Sequence, residues 1–125
     1  MTSPFNVISE NHATEVRLEQ EFSTVQNKIE HLLSSNPIIL FMKGNSDTPK
    51  CGFSANTVSV LNTFGHNFAT FDILNDVEIR QGLKEYSNWP TYPQLYVKGE
   101  LIGGADIITE LLHRGELKDI LSKAL

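Results

Sequence analysis

The chain has 125 residues, 40% of them hydrophobic and 20% charged, with a formal net charge of −5. That suits one compact domain, leaves no room for two, and is too apolar for wholesale disorder. The acidic balance argues against nucleic acid or an anionic membrane as the main partner, and no apolar run approaches the ~18 residues of a membrane span.

Cysteine usage narrows the classes further. A single cysteine, Cys51, excludes an intrachain disulfide, and it excludes a zinc or iron–sulfur cage built from one chain's own thiolates. His12, His31, His66 and His113 have no metal-ligand spacing. Met1-Thr2-Ser3-Pro4-Phe5-Asn6 has neither a basic nor an apolar segment, so no secretory signal is expected. The early acids Glu10, Glu15, Glu19 and Glu21 speak against a transit peptide. The expected compartment is a reducing cytoplasm, from which an organelle matrix is not distinguished.

Residues 1–14 are polar and aperiodic and read as a flexible tail before a domain of residues 15–125. From Glu15 the apolar positions Leu18, Phe22, Val25, Ile29, Leu32 and Leu33 recur every three or four residues, which predicts an amphipathic helix. Asn36-Pro37 ends it. Ile38 to Met42 suits a buried strand, Lys43 to Lys50 is a loop dense in turn residues, and a helix is expected from Cys51 to Phe64, stopped by Gly65. Phe68 to Leu74 reads as a strand, and Asp76 is placed to cap a helix reaching Tyr86. Two prolines keep Ser87 to Pro93 out of a helix. Gln94 to Val97 and Glu100 to Ile102 flank Lys98-Gly99 as a hairpin. Asp106 is expected to cap a helix through Leu112, and a last helix closes the chain from Glu116.

The order is a helix, a βαβ unit, a helix, then ββα, with a cysteine where the first strand feeds its helix. This is a thioredoxin-like α/β layout, with a central four-stranded mixed sheet flanked by helices. At a helix N-terminus the free N–H groups and partial positive charge favour thiolate over thiol. Such a cysteine is a nucleophile or a metal ligand; a buried structural thiol is the alternative that position alone leaves open.

Met42-Lys43-Gly44, Pro49 and Cys51-Gly52-Phe53-Ser54 resemble the signature of the monothiol, CGFS-type glutaredoxins. Trp89-Pro90-Thr91-Tyr92-Pro93-Gln94-Leu95-Tyr96-Val97 and Gly103-Gly104-Ala105-Asp106 are similar to that family's two other motifs. The resemblance covers roughly residues 30 to 122. It implies a glutathione site in which Lys43 and Arg80 hold the glycine carboxylate through charge-assisted hydrogen bonds. A cis Tyr92-Pro93 bond would turn the Tyr92 backbone toward the cysteinyl portion. The amides of Ala105 and Asp106 would take the γ-glutamyl carboxylate, and the Asp106 side chain would face its ammonium. Ala105 departs from the pattern, because a cysteine commonly stands there; a disulfide from that position to Cys51 is absent here. Trp89 reads as a packing residue at the rim, and Asn45-Ser46-Asp47-Thr48 as a stretch that matters by length rather than by side chain.

Three function classes remain open at this point. In the first, the chain is an iron–sulfur carrier, with Cys51 as ligand to a [2Fe–2S] cluster shared by a homodimer and completed by two glutathiones. It would be a monomer without cluster, hand the cluster to apo iron–sulfur proteins, and associate with BolA-like proteins as the resemblance suggests. In the second, Cys51 reduces glutathione mixed disulfides by a monothiol cycle, since Ser54 stands where a resolving thiol would be and serine cannot attack a mixed disulfide. The third is an interaction module with an inert thiol.

Overall fold

The computed structural model describes residues 11–124. Its elements are β1 (Ala13–Glu15), α1 (Val25–Ser35), β2 (Ile38–Met42), α2 (Gly52–Asn62), β3 (Phe68–Asp72), α3 (Val77–Ser87), β4 (Gln94–Val97), β5 (Glu100–Gly103), α4 (Ala105–His113) and α5 (Leu117–Ser122), with a 3₁₀ turn at Ile73–Asn75. The strands form one mixed sheet in the order β1-β3-β2-β4-β5. β1 and β2 run parallel to β3, while β4 is antiparallel to both β2 and β5.

The central strand β2 explains the layering. All five of its residues are buried, as expected of a strand covered on both faces. Successive side chains point to opposite faces. Ile39 and Phe41 therefore join Ile29, Leu32 and Leu33 of α1 and Ile79 and Leu83 of α3 in one core. Ile38, Leu40 and Met42 join Val58 and Leu61 of α2, Ile108 of α4, and Leu117 and Leu121 of α5 in the other. Each fully buried aliphatic side chain contributes ~1.5–3 kcal/mol relative to exposure, so the two cores hold the helices against the sheet. Across one face Lys28 of α1 pairs with Glu78 and stands 3.7 Å from Asp76, the cap of α3. Lys98-Gly99 turns the β4–β5 hairpin with φ of 52° and 80°, the positive-φ geometry that glycine makes easy.

Two expectations are corrected at the N-terminal side. Among the described residues the sheet has five strands rather than four, because Ala13, Thr14 and Glu15 pair with Phe68, Ala69 and Thr70 along the outer edge of β3. Residues 1–10 of the expected tail lie outside the described residues; Ala13 and Thr14 belong to this strand. The first helix starts at Val25, not near Glu15. Thr24 has extended backbone and its hydroxyl accepts the Asn27 amide at 3.0 Å, a strong N-cap. Leu18 and Phe22 mimic a helical stripe, yet they lie on an irregular segment. Leu18 packs on the α1–α3 core, and the Phe22 ring lies 4.9 Å from that of His31.

Candidate functional site

The strand-to-helix connection at the end of β2 builds the reactive group. Gly44 and Pro49 form an isolated antiparallel bridge, the Lys50 amide donates to the Lys43 carbonyl at 2.9 Å, and the loop closes on itself. Gly44 has φ +87°, and a Cβ there would stand 2.4 Å from the Thr48 carbonyl oxygen, so only glycine fits. The side-chain oxygen of Asn45 accepts the amides of Asp47 and Thr48 at 3.0 and 2.8 Å. Side chain as well as length therefore shapes this stretch, a correction to the sequence reading. The loop is also tied outward. Gly44 donates to Asp72 at 2.9 Å, Asn45 to Glu15 at 3.4 Å, and Asn11 to Ser46 at 3.2 Å.

Cys51 follows as the N-cap of α2, partly exposed, its sulfur accepting the Ser54 amide at 3.5 Å and lying 3.6 Å from the Ser54 hydroxyl. Partial burial opposes charge on the sulfur. The Ser54 amide and hydroxyl, the Phe53 amide and the Lys43 charge outweigh it, and the thiol is held below its ordinary value. Ser54 is fully buried, and its oxygen also accepts the Lys43 amide at 3.3 Å. Sequence reasoning treated Ser54 only as a missing thiol. In the structure it links the end of β2 to the sulfur and stabilises the thiolate.

Beside Cys51 runs a groove of ≈ 440 Å³ whose lining includes all five other residues singled out from the sequence: Lys43, Arg80, Tyr92, Ala105 and Asp106. Cys51 adjoins it through Lys43 and through Phe53, an exposed ring on the groove's edge. Arg80 sits on α3, and its carbonyl accepts the Tyr92 hydroxyl at 2.6 Å. Burial pushes that phenol up. The Tyr92-Pro93 bond is cis, as expected. At the far end α4 begins without a side-chain cap: Gly104 is the N-cap, so the first amides of the helix stay open. The expected Asp106 cap is thereby corrected. Asp106 lies inside the first turn, its side chain exposed. Gly103-Gly104 allow close approach to the chain itself, since a Cβ would meet Ile107 at 2.7 Å from Gly103 and the Pro93 carbonyl at 3.2 Å from Gly104.

One cation was missed. Lys84 lies one turn beyond Arg80 on α3 and also lines the groove; the i,i+4 spacing was the available signal. Among the described residues, Lys43, Arg80, Lys84 and Asp106 are in no ion pair. Three cations, a set of open amides and one carboxylate thus surround a cavity beside a thiol whose pKa is lowered. Trp89 lines it too, as expected of a rim residue, and its indole N–H is buried with no hydrogen-bond partner among the described residues.

The family model described as Glutaredoxin matches residues 38–102, a span that contains β2, Cys51, Arg80 and the cis bond. The chain is a glutaredoxin. It is 55% identical over 98 residues to Glutaredoxin 3 of Danio rerio, covering 78% of this chain and 30% of that one, so it spans under a third of that relative's length. A monothiol glutaredoxin of Synechocystis sp., named ycf64-like, is 54% identical over 98 residues, covering 78% of this chain and 92% of that protein. Among solved structures, reduced poplar apo GrxS14 superposes with a TM-score of 0.72 at 44% identity, covering 80% of this chain and 92% of that one. This glutaredoxin is of the monothiol type, and its fold is the thioredoxin-like one expected from the order of its elements.

Proposed function

We propose that this glutaredoxin holds glutathione in the groove beside Cys51 and, as a pair of copies, carries a [2Fe–2S] cluster that it hands to apo-proteins. The observation that carries the reading is the state of Cys51. It is the only thiol of the chain, partly exposed, biased toward thiolate, and followed one turn later by a serine. The groove's chemistry matches the ligand end by end. The cations Lys43, Arg80 and Lys84 suit the glycine carboxylate, and the open amides of Ala105 and Asp106 suit the γ-glutamyl carboxylate. The Asp106 carboxylate suits the neighbouring ammonium, and the Tyr92 backbone the cysteinyl portion.

Ligand counting leads from glutathione to the cluster. A [2Fe–2S] centre takes four ligands, usually thiolates. Among the described residues no group of three or more His, Cys, Asp or Glu could hold a metal ion. One chain supplies one thiolate, so two chains and two glutathione thiolates complete the set. Half of these ligands are exchangeable small molecules, which makes the cluster labile and transferable. Such a carrier belongs in a reducing compartment, the cytoplasm by default.

The test is anaerobic reconstitution with iron, sulfide and glutathione, followed by visible absorption and gel filtration. Cluster absorption and a dimer should appear together, only when all three are supplied, and never with Cys51→Ser. A glutathione-free dimer with a stable cluster would overturn the reading.

The depressed thiol also favours a second activity. The Cys51 thiolate attacks the glutathione sulfur of a protein–glutathione disulfide and expels the protein thiolate. A second glutathione thiolate then attacks the glutathione sulfur bound to Cys51, releasing oxidised glutathione and restoring the Cys51 thiolate. Turnover of a glutathionylated protein that is lost in Cys51→Ser is its signature.

A further inference from the structure

One wall of the groove is a loop; its ends are tied to α3 by the Trp89 amide, which reaches the Lys84 carbonyl and the Ser87 hydroxyl at 3.2 Å each, and by the Tyr92 hydroxyl, while its middle is held by a buried amide side chain. Trp89, Pro90, Thr91 and Tyr92 all line the groove. Behind them stands Gln94, the first residue of β4, with no exposed surface. Its side-chain N–H₂ donates to the Trp89 carbonyl at 3.1 Å and to the Thr91 carbonyl at 3.2 Å, one on each side of Pro90. Its side-chain oxygen accepts the Tyr96 hydroxyl at 2.9 Å, and the Ser87 hydroxyl, which donates to Leu83 at 2.6 Å, lies 3.4 Å away. Both donors are spent on the loop and the acceptor is spent on the core.

Only a carboxamide serves here. Two carbonyls facing one side chain require two hydrogens on one atom, and the Tyr96 hydroxyl requires an acceptor on the next. A leucine satisfies neither carbonyl. An ionised glutamate puts its own charge against two carbonyl oxygens, whereas a protonated one restores a single donor. The loop is also backed from the other side, where Gly104 approaches the Pro93 carbonyl and the Trp89 ring nitrogen closely enough that a Cβ would lie 3.2 Å from each. A displaced wall therefore also shifts relative to the start of α4.

We propose that Gln94 is a positioning residue, whose carboxamide locks the Trp89–Thr91 wall in the shape that receives a ligand. It touches neither the thiol nor the groove. The proposal rests on the groove being the glutathione site, and the experiment separates the two. Trp89 is the only tryptophan and lies within the clamped loop, so its emission and its quenching by acrylamide report the wall with or without ligand.

Gln94→Leu and Gln94→Glu are compared with the unaltered protein by Trp89 fluorescence, by calorimetry with glutathione, and by the pH profile of Cys51 alkylation with iodoacetamide. Both variants should show red-shifted, more quenchable emission at neutral pH. Glutathione affinity should fall by at least ~5-fold, the effect of leaving buried carbonyls without donors, while the alkylation profile stays in place. In Gln94→Glu, acidification should return emission and affinity toward those of the unaltered protein, a recovery that Gln94→Leu lacks. This acid-recovered state keeps the test open if Gln94→Leu does not fold. Unaltered emission and affinity in both variants would overturn the proposal. If the unaltered protein does not bind glutathione, the site reading fails, and Trp89 emission still decides whether Gln94 sets the wall.

Discussion

Exchanging Lys43 for methionine removes one charge from the groove and keeps an unbranched stem. Lys43, Arg80 and Lys84 line the same cavity, so a carboxylate there meets several cations at once. One such contact at ~4 Å is worth ~1 kcal/mol in bulk water and ~4 kcal/mol at the effective dielectric of a protein surface. Lys43 is only half-buried and in the proposed site would share its anion with Arg80, which sets the expected loss at ~1–2 kcal/mol, or ~5- to 30-fold in Kd. Calorimetry with glutathione at low and at high salt measures it, and the deficit should narrow as salt rises. The same charge is one of those that hold Cys51 low. Removing a cation disfavours the thiolate, so the alkylation midpoint of Cys51 should move to higher pH. Unchanged affinity at low salt, with an unchanged midpoint, would refute the placement of Lys43 at both the anion and the thiol.

Three other perturbations probe separate parts of the site. Ser54→Ala removes the hydroxyl that hydrogen-bonds with the sulfur, an interaction that lowers the Cys51 pKa, and with it the acceptor of the Lys43 amide; iodoacetamide kinetics against pH should show the midpoint rising, and urea unfolding should show a loss of ~1 kcal/mol. Gly44→Ala forces a Cβ against the Thr48 carbonyl at φ +87°, and a thermal melt should reveal a destabilisation of ~1–3 kcal/mol; an unshifted melting temperature argues against the closed loop. Asp106→Asn should weaken glutathione several-fold, on the order of 1 kcal/mol for an exposed charge, with the Cys51 alkylation profile unmoved, because Asp106 is not among the groups that act on the sulfur.

Much of this could be read from residue order, and what could not has identifiable physical reasons. β2, the Asp76 cap of α3 and the Lys98-Gly99 hairpin announce themselves through apolar runs, cap chemistry and turn chemistry. The groove residues came from motif resemblance, and the geometry gathers them. β1 was invisible because three residues are too few to show a period of two. Asp106 looked like a cap because aspartate caps helices well, but the Gly103-Gly104 backbone starts α4 two residues earlier. Lys84 shares a helix face with Arg80 by its spacing, but that this face lines the groove emerges only when α3 is packed. Gln94 reads as an ordinary strand residue, and its importance lies in two carbonyls that no sequence pattern marks.

The short strand β1 has a consequence for how chains are counted. By pairing with Phe68, Ala69 and Thr70 it occupies the side of β3 that would otherwise present unpaired N–H and C=O groups, and such bare rows recruit other chains. Its neighbour Asn11 and its own Glu15 also reach the loop that leads to Cys51. Trimming the chain to begin after Glu15 therefore does two things at once: it loosens the approach to the thiol and creates an adhesive margin on the sheet. Dimers of such a shortened chain would owe their existence to strand addition, independent of iron, sulfide and glutathione alike. An oligomeric state that is meant to report on ligands belongs to the protein with its first strand in place.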